Sequence, residues 1–281
     1  MRRLRNSRAA IGISLRHHST IPIGIRASMR VSFPRYDCLM QVVQRASRLF
    51  DVGADPLHVG RHLRRDHTFA GMVARRPGLR VPGAWDGFEL AVRSILGQRL
   101  GIVDSPALVE KLVQRFGRAI GLQLASLSRL FPLPDVLAKA DLTGLGVPRQ
   151  QAETIAALAH AVSDRKLTFD GYQRGDLMLA ALRCLPNITD DALSYIAMRA
   201  LGDPNAFPEG DTGLHRPLRA GGIRMSGVGL QSRFEGIRPW RACAAMHLWA
   251  ATEQARGPNC ARRNLQARSK RSKTHLAGPL D

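Results

Sequence analysis

Asp211 is the carboxylate best placed to do chemistry in this chain. It stands in the run Ala206-Phe207-Pro208-Glu209-Gly210-Asp211-Thr212-Gly213-Leu214, where a turn-forming approach gives way to residues able to start a helix. A carboxylate fixed there can stabilise a developing positive charge, or orient and deprotonate a water. The same position suits plain capping of a helix that begins at Thr212. The residues alone leave both readings open. Roughly twenty residues upstream, Leu185-Pro186-Asn187-Ile188-Thr189 reads as a short turn between two helical segments. Such a turn aims backbone N–H groups and a helix N-terminus outward, an arrangement that holds an anion such as a phosphate. Tyr195, Trp240 and Trp249 are among the chain's aromatics. Electron-rich rings can hold a flat cationic group by stacking and cation–π attraction, or can simply pack in a core.

Other groups are less promising. His58, His62 and His67 could suggest a metal-binding helix, but Arg61, Arg64 and Arg65 between them would repel a cation. Cys38, Cys184, Cys243 and Cys260 are far apart and form no CxxC pair. They suit a reducing compartment, and do not form a disulfide frame, a zinc site or an iron–sulfur cluster.

The net charge of +20, with 42 Lys and Arg against 22 Asp and Glu, favours a polyanionic partner, either nucleic acid or an anionic membrane surface. No apolar run approaches the ~18 residues of a membrane span, so a spanning segment is excluded. The charge is uneven. The first thirty-six residues carry Arg2, Arg3, Arg5, Arg8, Arg16, Arg26, Arg30 and Arg35 and no acid. The tail after Gln254 carries Arg256, Arg262, Arg263, Arg268, Lys270, Arg271 and Lys273 against Asp281. Both ends read as solvated basic arms. The acid-poor start equally fits a transit peptide or a start codon assigned in the wrong place.

The elements that must position these groups follow from periodicity. Ile23, Ile25, Ala27, Met29, Val31 and Phe33 alternate with small or polar residues and predict a half-buried strand. A helix is predicted from about Leu39 to Phe50. Beyond Pro82 the pattern turns helical. Phe88, Ala91, Val92, Ile95 and Leu96 make one apolar stripe, and Ala152, Ile155, Ala156, Ala159 and Val162 another. Asp104 or Ser105 can cap a helix with Pro106 at its first position and Gly117 past its end. Ala192 to Leu201 is apolar nearly all round, as a buried central helix should be. Residues 220–237 read as loop, and Pro239 opens a last helix from Trp240 to about Glu253.

The order and spacing of these segments resemble the helix-hairpin-helix DNA glycosylases, and in particular the alkylation-repair branch, DNA-3-methyladenine glycosylase II. The likeness returns in Arg80-Val81-Pro82-Gly83-Ala84-Trp85-Asp86-Gly87-Phe88-Glu89, in Ile95-Leu96-Gly97-Gln98, in Arg238-Pro239-Trp240-Arg241 and in Ala245-Met246-His247-Leu248-Trp249. It spans roughly residues 27–253. No block is specific alone; their succession is. The resemblance implies a mainly α fold, a helix-hairpin-helix glycosylase-like helical domain behind a small, incomplete α+β N-terminal domain. It divides the chain into a basic disordered arm (1–22), a truncated α+β domain (23–80), the helical domain (81–254) and a basic disordered tail (255–281).

The resemblance also implies a function: monofunctional hydrolysis of the N-glycosidic bond of alkylated bases such as 3-methyladenine, in base excision repair. Asp211 is then catalytic. Tyr195, Trp249 and Trp240 form the pocket for the extruded base. Gln98 and Arg99 fill the gap it leaves, and Asn187, Ile188 and Thr189 grip the DNA backbone. The implied partner is double-stranded DNA containing alkylated bases, with no membrane. No metal and no cofactor are called for, and the expected state is a monomer in the cytoplasm, on the nucleoid.

Several residues depart from the family pattern. The family writes its hairpin Leu-Pro-Gly-Ile/Val-Gly, and Asn187 and Thr189 replace both Gly here. Asn tolerates a left-handed φ; Thr does so badly. Asp190 and Asp191 put two carboxylates where they would repel a phosphate, and Asp191 stands where the family has Trp. Strand-cutting relatives place a Schiff-base Lys at that position, so no lyase chemistry is expected. Pro217 is expected to kink or end the helix after Asp211. Gly227-Val228-Gly229 looks like a second hairpin but lacks a matching helix behind it. The alternative these departures suggest is a degenerate, catalytically weak or inactive DNA-binding relative.

Overall fold

The computed structural model describes residues 15–17, 27–29, 39–98, 106–120, 128–169, 175–221 and 233–255. Two short strands, β1 (Leu15–His17) and β2 (Ala27–Met29), pair antiparallel with Arg16 opposite Ser28. β2 lies inside the alternating stretch that predicts a strand. β1 lies within the segment read as a disordered arm, so three residues of that segment are strand. Helix α1 (Leu39–Leu49) follows.

Three aspartates then start three helices. Asp55 caps α2 (Pro56–Leu63), accepting from the Leu57 and His58 N–H groups. Asp66 caps α3 (His67–Arg75) and Asp86 caps α4 (Gly87–Leu96). Each uses its carboxylate to satisfy N–H groups that a helix start leaves without a partner. The apolar stripe of α4 is fully legible in the sequence: Phe88, Ala91, Val92, Ile95 and Leu96 are all buried. Helix α5 (Pro106–Phe116) begins on its proline and stops before Gly117, as expected. A two-residue ribbon of β3 (Arg118–Ala119) and β4 (Arg129–Leu130) leads to α6 (Pro134–Leu137) and α7 (Arg149–Ser163). Helices α8 (Gly175–Arg183) and α9 (Asp190–Ile196) flank the expected hairpin, and α9 runs on as a π-helical turn over Ala197–Leu201. Helices α10 (Thr212–Ala220) and α11 (Arg241–Ala255) follow among the described residues. The latter starts one residue after the expected Trp240.

Among the described residues two apolar cores form. Helices α4 to α9 enclose the first, with Ile95, Leu96, Leu112, Ile155, Leu158 and Leu182 at its centre. The second gathers Leu63 and Phe69 from α2 and α3, Phe207, Leu214 and Leu218 around α10, Phe234, and Leu248 from α11. Residues 190–201 serve both: Leu193 and Ile196 enter the first, Ala197 and Met198 the second. This is why that segment is apolar nearly all round. The helices at residues 56–75 therefore share a core with α10 and α11, and a domain boundary at residue 80 would cut through it.

Pro217 does not end α10, which continues to Ala220. A proline lacks the N–H that would bond the carbonyl four residues back, here Gly213. That carbonyl instead accepts the Thr252 hydroxyl at 2.6 Å, a donor supplied by α11. The usual penalty for an interior proline is offset by a tertiary hydrogen bond that no reading of the helix alone could foresee. Among the described residues, no helix is long and apolar enough to cross a membrane.

Candidate active site

Asp211 sits at the N-cap of α10 in extended backbone, and its Oδ1 accepts the Gly213 N–H at 2.7 Å. The capping role is therefore real. A second donor reaches the same oxygen: the indole Nε1–H of Trp249, at 3.2 Å from α11. Gly213 lies directly beneath this pair, and a Cβ there would come within 3.1 Å of Trp249 Cδ1. Among the described residues nothing donates to Oδ2. Asp211 is half-buried, with one carboxylate oxygen held by two donors.

Trp249 also meets Tyr195 of α9 edge to face, with ring centroids 5.9 Å apart and planes at 70°. Two of the three expected pocket aromatics thus stand together beside Asp211. Arg199, one helical turn after Tyr195, donates to the Tyr195 hydroxyl at 3.1 Å and places its guanidinium 5.5 Å from the ring centroid. It also donates to the Pro82 carbonyl, tying the phenol to the segment before α4. Sequence reasoning missed Arg199, although its spacing of four from Tyr195 on one helix is a findable signal.

Trp240 is not in this group. It packs edge-on against His58 of α2, with centroids 6.0 Å apart. There it lines a cavity of about 1960 Å³, together with Trp85, Phe131, Phe169, Cys243 and Arg199. Asp211, Tyr195 and Trp249 are not part of that wall. Trp240 precedes α11 while Trp249 lies more than two turns along it, so nearness in sequence did not become nearness in space.

The turn Leu185–Thr189 does join α8 to α9, with Pro186, Asn187 and Thr189 exposed at its tip. The Pro186 carbonyl accepts the Thr154 hydroxyl at 2.7 Å, which fastens the hairpin to α7. Asn187 takes the left-handed conformation, φ 56°, as its chemistry allows. Its amide lies 3.4 Å from Glu153 Oε2. The expectation of strain at Thr189 is wrong. Its φ is −90°, and its hydroxyl caps α9 by accepting the Ala192 N–H at 3.3 Å. A second Gly is unnecessary when the residue there is a β-region cap. Ile188 is half-buried against the first core, so its side chain is a packing group.

Asp191 is also not where charge counting put it. Its Oδ1 accepts the Gly210 N–H at 2.6 Å. The carboxylate is turned to the loop ahead of Asp211. That loop is further held by His215 Nε2, 2.5 Å from the Glu209 carbonyl, and by the Asp211 N–H on the Pro208 carbonyl at 3.1 Å.

Gln98 lies just past α4 with its side chain buried. Its backbone carbonyl accepts Gln151 Nε2 at 2.8 Å, and its own Nε2 has no partner among the described residues. Arg99, the look-alike Gly227-Val228-Gly229, most of the expected arm and all of the tail after Ala255 lie outside the described residues.

Comparison with known proteins matches this geometry. Residues 2–86 match the family model of the AlkA N-terminal domain, a match that takes in most of the segment read as an arm. The chain is 33% identical over 215 residues to a probable bifunctional transcriptional activator/DNA repair enzyme AlkA of Mycobacterium tuberculosis (strain CDC 1551 / Oshkosh), covering 76% of this chain and 43% of that protein. It is 31% identical over 218 residues to DNA-3-methyladenine glycosylase 2 of Escherichia coli (strain K12), covering 76% of this chain and 71% of that one. Among solved structures, a 3-methyladenine DNA-glycosylase from Archaeoglobus fulgidus superposes with a TM-score of 0.67 at 18% identity, covering 88% of this chain and 86% of the other. A Clostridium acetobutylicum 8-oxoguanine glycosylase/lyase in complex with DNA gives 0.66 at 15% identity, covering 88% and 85%. With the fold, the hairpin and the sequence relatives in agreement, the chain belongs to the DNA-3-methyladenine glycosylase II family of helix-hairpin-helix DNA glycosylases.

Proposed function

We propose that this chain is a monofunctional DNA glycosylase that hydrolyses the N-glycosidic bond of alkylated bases such as 3-methyladenine in duplex DNA. One observation carries the reading above others: Trp249 hydrogen-bonds Asp211 and stacks edge-on with Tyr195, so one side chain links the carboxylate to the aromatic pair. The hairpin of α8 and α9 would hold a backbone phosphate on the flank of the lesion. The flipped, electron-poor base would lie against Tyr195 and Trp249.

An alkylated purine carries a formal positive charge, so it departs without protonation. The sugar left behind becomes oxocarbenium-like. The carboxylate of Asp211 stabilises that charge and accepts a proton from the water that adds to the anomeric carbon. The Gly213 and Trp249 donors keep Oδ1 in place, and Oδ2 faces the reaction. Gln98 and Arg99 would occupy the gap in the duplex. The protein would act as a monomer on chromosomal DNA in the cytoplasm, with phosphate contacts from its basic ends adding affinity.

The test is release of 3-methyladenine from methylated duplex DNA by the purified chain. Asp211→Asn keeps the size and the cap acceptor but removes the charge, and should cost about 10²-fold or more in rate. Equal rates for the two proteins would remove Asp211 from the chemistry.

A further inference from the structure

We infer that Asp191 is a positioning residue for Asp211, fastening the hairpin to the loop that carries the catalytic carboxylate. This rests on the proposed glycosylase reading and names a second carboxylate that the site depends on. Asp191 lies in the first turn of α9, directly behind the turn Leu185–Thr189. Its Oδ1 reaches nineteen positions ahead and accepts the Gly210 N–H at 2.6 Å, a short, charge-assisted bond. Gly210 is the residue immediately before Asp211. Residue 210 is also shaped for this contact, because a Cβ there would collide with Asp191 Oδ2. Gly at 210 and Asp at 191 therefore act as a matched pair: the missing side chain on one lets the carboxylate of the other approach the backbone.

Farther back the same loop is tied to α11, where Arg241 Nε donates to Asn205 Oδ1 at 2.8 Å and the Ala242 N–H to the Pro204 carbonyl at 2.9 Å. Two bonds close to Asp211 are local. His215 holds the Glu209 carbonyl, and the Asp211 N–H closes onto Pro208. Neither joins the loop to another element outside α10. Asp191 does, and the element it joins is α9, which begins at the hairpin and also bears Tyr195. Asp211 is thus located from two directions, by Trp249 of α11 on its side chain and by Asp191 of α9 on the preceding peptide. A reacting carboxylate displaced by a fraction of an ångström loses rate without losing substrate affinity. The second carboxylate at this end of α9 is a strut, engaged by the Gly210 peptide N–H.

Four variants test the inference: Asp191→Ala, Asp191→Asn, Gly210→Ala and the double variant Asp191→Ala/Gly210→Ala. They are assayed in the full chain for single-turnover base release and for affinity to methylated duplex. Asp191→Ala should lower the release rate about tenfold with affinity unchanged. Asp191→Asn retains an acceptor oxygen and should stay within about threefold of the parent. Gly210→Ala should reproduce the Asp191→Ala defect by pushing the carboxylate away, and the double variant should be no slower than the worse single one. Full activity in Asp191→Ala, or a loss confined to DNA affinity, overturns the inference. Amide hydrogen exchange over residues 206–212 is measured alongside. It should speed up in Asp191→Ala and not in Asp191→Asn, and unchanged exchange also overturns it. A parent chain that releases no base refutes the proposed function instead, and the exchange measurement then decides alone whether the strut exists.

Discussion

Trp249→Phe separates two jobs that one side chain performs. Phenylalanine keeps an aromatic ring to meet Tyr195, now 5.9 Å from the indole centroid at 70°, but has no N–H for Asp211 Oδ1. A hydrogen bond to a charged acceptor contributes about 1.5–3 kcal/mol. The indole bond is 3.2 Å long against 2.7 Å for the Gly213 N–H that stays behind, so the low end applies. About 1.5 kcal/mol corresponds to roughly tenfold in rate. The ring is only half-buried and leaves a small void, so global stability should fall by about 1 kcal/mol, a few degrees in Tm at this chain length. Single-turnover release from methylated duplex gives the chemical step, fluorescence anisotropy gives DNA affinity, and a thermal melt checks the fold. The expected pattern is a rate about tenfold lower, affinity little changed and a modest drop in Tm. A variant that folds and releases base at the parental rate would show that the indole N–H does not hold the carboxylate. A loss wholly in affinity would show that Trp249 acts only by stacking.

Further expectations concern the hairpin, the charge balance and the chemistry. Thr189→Ala should cost about 1 kcal/mol by removing the cap of α9, whereas Asn187→Gly should be neutral or stabilise by up to about 1 kcal/mol by relieving a left-handed side chain; denaturant melts decide, and a gain from Thr189→Ala would refute the cap. His247 is 3% exposed, and burial, aided by the charge of Arg76, pushes its pKa down to about 4 from an ordinary 6.5. Between those values the unfolded chain binds a proton that the folded chain refuses, so this contribution is intact above pH 6.5 and is lost as pH falls toward 4, by up to about 3 kcal/mol. His247→Leu should therefore narrow the difference in Tm between pH 7.5 and pH 5, and an equal difference in both proteins would refute the assignment. Borohydride added during base release should trap no protein–DNA adduct, since position 191 offers a carboxylate and not an amine.

Much of the fold could be read from the chain because its signals are local. The stripe of α4, the proline that opens α5 and the near-uniform apolarity of residues 192–201 each follow from a repeat of 3.6 and from a face that must be buried. Asp211 was legible as a helix start, and Tyr195 with Trp249 as candidates beside it. What could not be read depended on partners distant in sequence. The family's two-Gly hairpin predicts strain at Thr189, while the turn needs only Asn187 to be left-handed. Asp191 looked repulsive because charge was counted along the chain, and its true partner, the Gly210 N–H, is nineteen positions away. Trp240 was grouped with Trp249 by proximity in sequence, but it falls on the far side of a helix start and faces α2. Pro217 looked disruptive because Thr252 was not known to face the carbonyl it orphans.

That last contact has a consequence for how the site can move. Thr252 and Trp249 lie three residues apart on one face of α11, and both reach the first turn of α10, one through the Gly213 carbonyl and one through Asp211. The two helices are therefore latched at the start of α10, and that end of the helix cannot swing away from α11 without breaking both bonds, so the Asp211 carboxylate keeps its place relative to α11.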